Sequence, residues 1–193
     1  MSAPEDGNLR VYTIGHSNVT FADLLAKLQK FNIEVVVDVR SAPYSKFNPQ
    51  FNHENLKLSV KDTGTLKYLY LGRELGGVPK DESFYDEFGH TLYWKIAETE
   101  GFKSGIQRLL NGISQYRVAL MCGEENPTSC HRRLLLSRVL RENGVEVLHI
   151  RGNGFAQTEE ELDEENGVAN KQMSLFGQRE EPEWKSPNPV IDR

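Results

Sequence analysis

The feature that most constrains this chain is a pair of short β-branched runs separated by one helix-length amphipathic stretch. RVYTI at residues 10–14 and EVVVDV at residues 34–39 flank FADLLAKLQK at residues 21–30. The second run is nearly continuous in apolar residues, without the alternation of a strand that wets one face, so it reads as a parallel strand covered on both sides. Phe21, Leu24, Leu25 and Leu28 recur at helical spacing, and Thr20 stands where an N-cap belongs. Strand, helix and buried strand form a βαβ unit, which commits the chain to an α/β fold.

The rest of the pattern extends that unit. His53 to Lys61 reads as partly helical, Lys67 to Leu71 (KYLYL) as an alternating strand, and Gly76-Gly77 as a break. Residues 84–98 have no clean period and are expected to be helical only in part. Phe102 to Gln115 places Ile106, Leu109, Leu110 and Ile113 on one helix face. Arg117 to Met121 (RVALM) is a buried strand, and His131 to Glu142 a helix closed by Asn143-Gly144. Val145 to Ile150 is the last strand. The spacing predicts a mostly parallel sheet flanked by helices, a Rossmann-like three-layer α/β architecture in one domain over residues 9–155. Beyond it the period disappears, and residues 156–193 are expected to be an acidic, largely disordered tail.

Charge supports that division. From residue 151 onward there are 5 Lys and Arg against 10 Asp and Glu, which leaves 18 of each before it. The net charge of −5 therefore belongs to the tail, and the domain's overall charge argues neither for nor against nucleic acid. Two cysteines, Cys122 and Cys130, do not make a disulfide framework and read as reduced thiols. No stretch approaches 18 apolar residues, and Met1 to Asn8 lacks an apolar run, so a cytoplasmic protein without membrane contact is expected.

In open α/β sheets, ligands bind beyond the carboxyl ends of the strands. That rule selects three loops: Gly15 to Asn18, Arg40 to Phe47, and Cys122 to Arg132. All three are rich in groups that bind anions or move protons. His16, Glu124, Cys130 and His131 are the candidate catalytic residues. A thiol at a helix start can be acidified, which marks Cys130, while Cys122 at a strand end is as well explained as a small buried hydrophobe. Ser17, Arg40, Tyr44, Lys46, Cys122 and Arg132 are the candidate anion or substrate ligands, Arg132 through a forked grip at a helix N-terminus. Arg133 adds to the phosphate-binding set. Asp38 and Arg40 alternate on one strand and are placed to pair. Tyr44, Phe47 and Phe51 form either a stacking surface for a base or a lid of the core.

No metal is expected. Cys122, Cys130, His131 and His16 nominally supply four zinc ligands, but the cysteine spacing is not that of a zinc knuckle, and adjacent Cys and His rarely share an ion. No cofactor is expected either, since the chain has no GxxxxGK[ST] and no GxGxxG.

Taken together, IGHS at residues 14–17, DVRSAPYSKFNPQFN at 38–52, YLYLGRELGG at 68–77 and MCGEENPTSCHRRLLLSRVL at 121–140 resemble the domain of unknown function family 488 over about residues 10–152. The resemblance implies a small α/β fold with these loops as its marked positions and supplies no reaction. A weaker likeness to rhodanese domains rests on VDVR and a cysteine at a strand end, and it fails where an acidic, proline-containing loop follows Cys122.

In the tail, Gln172, Met173, Ser174, Leu175 and Phe176 resemble the pentapeptide with which bacterial DNA-processing proteins dock on the replication sliding clamp. Met173, Leu175 and Phe176 would fill an apolar pocket and Gln172 add hydrogen bonds. The expectation is an enzyme acting on DNA or on a nucleotide or other phosphate-bearing substrate, with the tail as its address to replication or repair machinery. A non-catalytic nucleic-acid-associated adaptor and a thiol-dependent enzyme are the alternatives.

Overall fold

The computed structural model describes residues 9–165 and 184–190. Six strands form one sheet: β1 (Arg10–Gly15), β2 (Val35–Asp38), β3 (Lys67–Tyr70), β4 (Val118–Cys122), β5 (Glu146–Ile150) and β6 (Ala156–Thr158). Their order is β3-β2-β4-β1-β5-β6, with β6 antiparallel to β5 and every other pair parallel. The βαβ unit is where the periodicity predicts it. Helix α1 (Phe21–Lys30) starts at a capping box in which Thr20 and Asp23 satisfy each other's backbone amides.

Two apolar layers hold the helices to the sheet. On one face, Tyr12, Ile14, Val36, Ala119 and Met121 pack against Leu24 and Leu28 of α1 and against Leu56 and Val60 of α2 (His53–Asp62). On the other, Val11, Val35, Val37, Val118, Leu120 and Val147 meet Phe102, Ile106, Leu109 and Ile113 of α5 (Glu100–Ile113) and Leu135, Leu136 and Leu140 of the helix after β4. Strand residues one apart point to opposite layers, so β2 and β4 supply both and read as unbroken apolar runs. Two shorter helices, α3 (Gly72–Leu75) and α4 (Tyr93–Glu98), lie between β3 and α5. Helix α6 departs from the regular helix expected: it opens as a π-helical stretch, Arg132–Ser137, and continues as an α-helix, Arg138–Glu142. Ser137 Oγ donates to the Arg132 carbonyl at 2.8 Å within that wide turn.

The boundary at residue 155 is corrected. The chain continues into β6 and α7 (Glu159–Glu165), where Leu162 is fully buried. Residues 184–190 also lie on the domain: Lys185 bridges to Leu92, and the Trp184 indole N–H donates to the Leu134 carbonyl at 2.6 Å. The acidic run reads as solvated because its partners lie far away in sequence. Glu159 and Asp163 hold Arg133 at 2.7 and 2.6 Å. Glu159 also accepts from His149, whose other ring nitrogen meets the Thr13 hydroxyl at 2.7 Å. The segment Gln172 to Phe176 lies outside the described residues.

Candidate functional site

β1 and β4 are neighbours whose following helices cover opposite faces of the sheet: α1 follows β1 on one side, α6 follows β4 on the other. The loops after them diverge at this switch point, and the crevice that such a switch point defines at the strand ends is where sheets of this kind bind ligands. The ladder runs one step further before the split, with His16 N–H donating to Cys122 O at 3.0 Å and Ser17 N–H to Gly123 O at 2.8 Å. Gly15 is obligatory for this approach, because a Cβ there would lie 1.6 Å from the Glu124 carbonyl oxygen.

On the α6 side of the crevice, Cys122, Cys130 and His131 converge. Cys122 ends β4 facing the same layer as Val118 and Leu120, and Cys130 enters that layer from the start of α6. The His131 Nδ1 lies 3.7 Å from Cys122 Sγ and 3.8 Å from Cys130 Sγ. Its Nε2 meets the Val39 carbonyl at 3.1 Å. A carbonyl only accepts, so Nε2 carries the proton and Nδ1 turns to the sulfurs. Gly77 backs the imidazole closely: a Cβ there would stand 2.5 Å from His131 Cβ.

The electrostatics of this trio are strongly coupled. The Cys130 hydrogen bond holds the Cys122 thiol well below its ordinary range against the cost of burial, with His131 and Arg132 adding to the effect. The same bond, and burial, push the Cys130 thiol up. Burial works against protonated His131, yet the charge and hydrogen bond of Cys122 raise it overall. Glu124 stands beside them with an exposed side chain, and its carboxyl is raised by desolvation first and by Cys122 second. Buried Tyr93 faces the same charges; burial, then Cys130, Glu124 and Cys122, raise its phenol. Tyr93 escapes the sequence reading because it sits in the irregular stretch 84–98. Its one signal is a polar aromatic ahead of Ile96 and Ala97, which does not distinguish it from Tyr85.

The α1 side holds a second network. Arg40 donates from Nε to Asp38 Oδ1 at 2.8 Å, from Nη2 to Asp38 Oδ2 at 2.6 Å and to the Phe51 carbonyl at 2.8 Å, and from Nη1 to His16 Nε2 at 3.0 Å. The Asp38–Arg40 pair expected from the strand is present and buried. His16 stacks on Phe51 with ring centroids 4.3 Å apart, and its Nδ1 meets the Ser17 carbonyl at 2.7 Å. Accepting at Nε2 and donating at Nδ1 makes His16 neutral, and burial lowers its proton affinity. The Tyr68 hydroxyl donates to Asp38 Oδ2 at 2.8 Å and accepts from His53 at 3.0 Å.

These contacts revise several expected roles. Arg132 is fully buried, and its guanidinium donates to the Glu124 and Glu125 carbonyls, so it shapes the loop and offers no grip to a ligand. Arg133 is held by Glu159 and Asp163, away from the crevice. Four bonds leave Arg40 one N–H, so it mainly ties together Asp38, the Phe51 carbonyl and His16. Ser17 is half-buried in the left-handed region at φ 48°, its hydroxyl within 3.4 Å of Asn18 Oδ1. Phe51 is core, whereas Tyr44, Lys46 and Phe47 are exposed on the β2 loop, Phe47 at 93%. Tyr44 donates its hydroxyl to Glu54 at 2.9 Å. His16, Cys122, Glu124, Cys130 and His131 are thus brought to one crevice.

Among the described residues no helix is long and apolar enough to cross a membrane. No curated protein and no solved structure matches the chain. One family does: the domain of unknown function DUF488 matches residues 20–139, more than half of the chain and every loop of the site but the first, and the chain belongs to that family.

Proposed function

We propose that this protein is an enzyme whose reaction centre is the cluster of Cys122, Cys130 and His131 with Glu124 at its rim, acting on a substrate that carries a planar ring, a nucleobase in a nucleotide or in single-stranded nucleic acid. The carrying observation is the convergence of a half-buried imidazole on two buried thiols, 3.7 and 3.8 Å away, at the strand ends between β1 and β4. Polar groups that serve only the fold are normally buried with unreactive partners such as backbone carbonyls, as Arg132 is. The substrate class rests on Tyr44 and Phe47, exposed on the loop that begins two residues after the Asp38 strand end, beside Lys46. Exposed aromatic rings next to a cation are a stacking platform for bases.

Incubating the protein with a panel of nucleosides, nucleotides and short single-stranded oligonucleotides, followed by mass analysis of the products, tests this reading. Turnover lost in Cys122→Ala, and oligonucleotide binding weakened by roughly 1–3 kcal/mol in Phe47→Ala, are the expected results. Full binding by Phe47→Ala would remove the nucleobase reading, and full turnover by Cys122→Ala would remove the cluster.

Recruitment is a second element of the proposal, carried by the sequence of Gln172 to Phe176. Replacing Leu175 and Phe176 with Ala is expected to abolish binding to a purified sliding clamp while leaving turnover intact; unchanged clamp binding overturns it.

A further inference from the structure

We propose that Cys122, Cys130 and His131 form a tripod for a zinc(II) ion, with a fourth coordination position opening toward Glu124 and the crevice. The inference deepens the reading of this cluster as the reaction centre and names what the cluster holds. Three observations carry it. First, Cys122 Sγ, Cys130 Sγ and one ring nitrogen of His131 all lie within 4.8 Å of one another. A tetrahedral zinc with Zn–S of about 2.3 Å and Zn–N of about 2.0–2.1 Å sets sulfur and nitrogen about 3.6 Å apart and two sulfurs about 3.8 Å apart. The His131 Nδ1 distances of 3.7 and 3.8 Å need only a few tenths of an ångström of contraction.

Second, the ligand nitrogen is already chosen. The Val39 carbonyl takes the Nε2 proton at 3.1 Å, which fixes the tautomer and aims the Nδ1 lone pair at the sulfurs. A backbone or carboxylate acceptor on the far nitrogen is the usual outer support of a metal-bound histidine. Gly77 behind the ring prevents it from retreating. Third, the other nearby imidazole is otherwise engaged. His16 has its lone pair on Arg40, so it does not complete a closed four-residue site. Three protein ligands with an open position are the composition of a catalytic zinc, whereas structural sites are closed by a fourth side chain.

The sequence argues against this site, because adjacent Cys and His rarely share an ion. The structure overturns that expectation locally. His131 is helical at φ −58° and ψ −25°, and its side chain reaches back over the helix start to within 3.8 Å of the Cys130 sulfur. A divalent ion of intermediate softness suits two thiolates and an imidazole, and magnesium or calcium does not. Bound there, zinc would supply Lewis acidity and a bound water beside the Glu124 carboxylate.

The test is titration of the metal-free, full-length protein with cobalt(II), read by absorption and followed by displacement with zinc(II). A saturable thiolate-to-cobalt charge-transfer band with the intense visible bands of tetrahedral cobalt, at one ion per chain, is expected. Cys130→Ser and His131→Gln should weaken binding by more than roughly 100-fold, beyond the loss typical of an outer-shell change. His149→Gln, a buried histidine elsewhere, should leave it unchanged. Absence of the charge-transfer band in the wild type, or wild-type affinity in either ligand variant, overturns the proposal. Should a variant not fold, the wild type still decides: zinc must protect both thiols from iodoacetamide and a chelator must restore their reactivity, and equal reactivity with and without metal is a negative result. The two readings fail separately. Turnover that needs Cys122 without bound metal leaves the reaction centre standing as a thiol enzyme, and metal binding with full turnover in Cys122→Ala leaves only the tripod.

Discussion

At the scale of single residues, the site is built as much by what is missing as by what is present. Gly15 and Gly77 carry no chemistry, yet each lets backbone approach a functional group to a distance that any Cβ would occupy. Gly77→Ala would place a methyl 2.5 Å from His131 Cβ, with no flexible end to give way. We expect overpacking of about 1–3 kcal/mol in chemical denaturation, together with loss of the function of the cluster. Wild-type stability would show that the α3–α4 connection yields and that His131 is not clamped. The arginines carry the opposite lesson. Arg132 and Arg40 read as ligand grips because a sequence shows a cation beside a loop but not the carbonyls, carboxylate and imidazole that claim its donors. Buried guanidinium groups need partners, and here the fold supplies most of them from within, leaving the buried Arg132 Nε without one among the described residues.

At the scale of elements, periodicity made the parallel strands and the amphipathic helices legible, since Val35–Asp38 and Val118–Cys122 are buried throughout and α1 and α5 each bury one stripe. Three loops chosen by strand-end position alone carry the residues of the proposed site. What periodicity missed lacks a period: Tyr93 on a six-residue helix, the π-helical opening of α6, and α7, whose only fully buried apolar residue is Leu162. The run from Glu159 to Glu165 looks like a solvated tail until Arg133, His149 and Arg151 are seen to be its partners. Deleting residues 156–193 therefore does more than remove the proposed docking segment. It uncovers the layer under Leu162, a burial worth about 1.5–3 kcal/mol. It also strips Glu159 from His149 and Arg133, where an unpaired buried polar group costs about 1–3 kcal/mol more. A fall in melting temperature on the order of 10 °C is expected at this chain length. An unchanged melting temperature would return the boundary to residue 155.

At the scale of the whole molecule, a sheet whose order reverses between β4 and β1 leaves one crevice, and the loops that leave it carry the thiols, the two histidines and Glu124. The fold follows from that topology, and the family match spans residues 20–139. The central claim is that ligand is bound and transformed there and nowhere else on the domain. The competing surface is the groove lined by Arg133, Arg138, Arg141 and Trp184 on the outer side of α6. Backbone amide chemical shifts of isotope-labelled, full-length protein, recorded while a short single-stranded oligonucleotide is added, distinguish the two most directly. The expected result is a contiguous set of shifts in residues 15–18, 39–47 and 122–132. Shifts confined to the outer groove, or none at saturating oligonucleotide, would contradict the account.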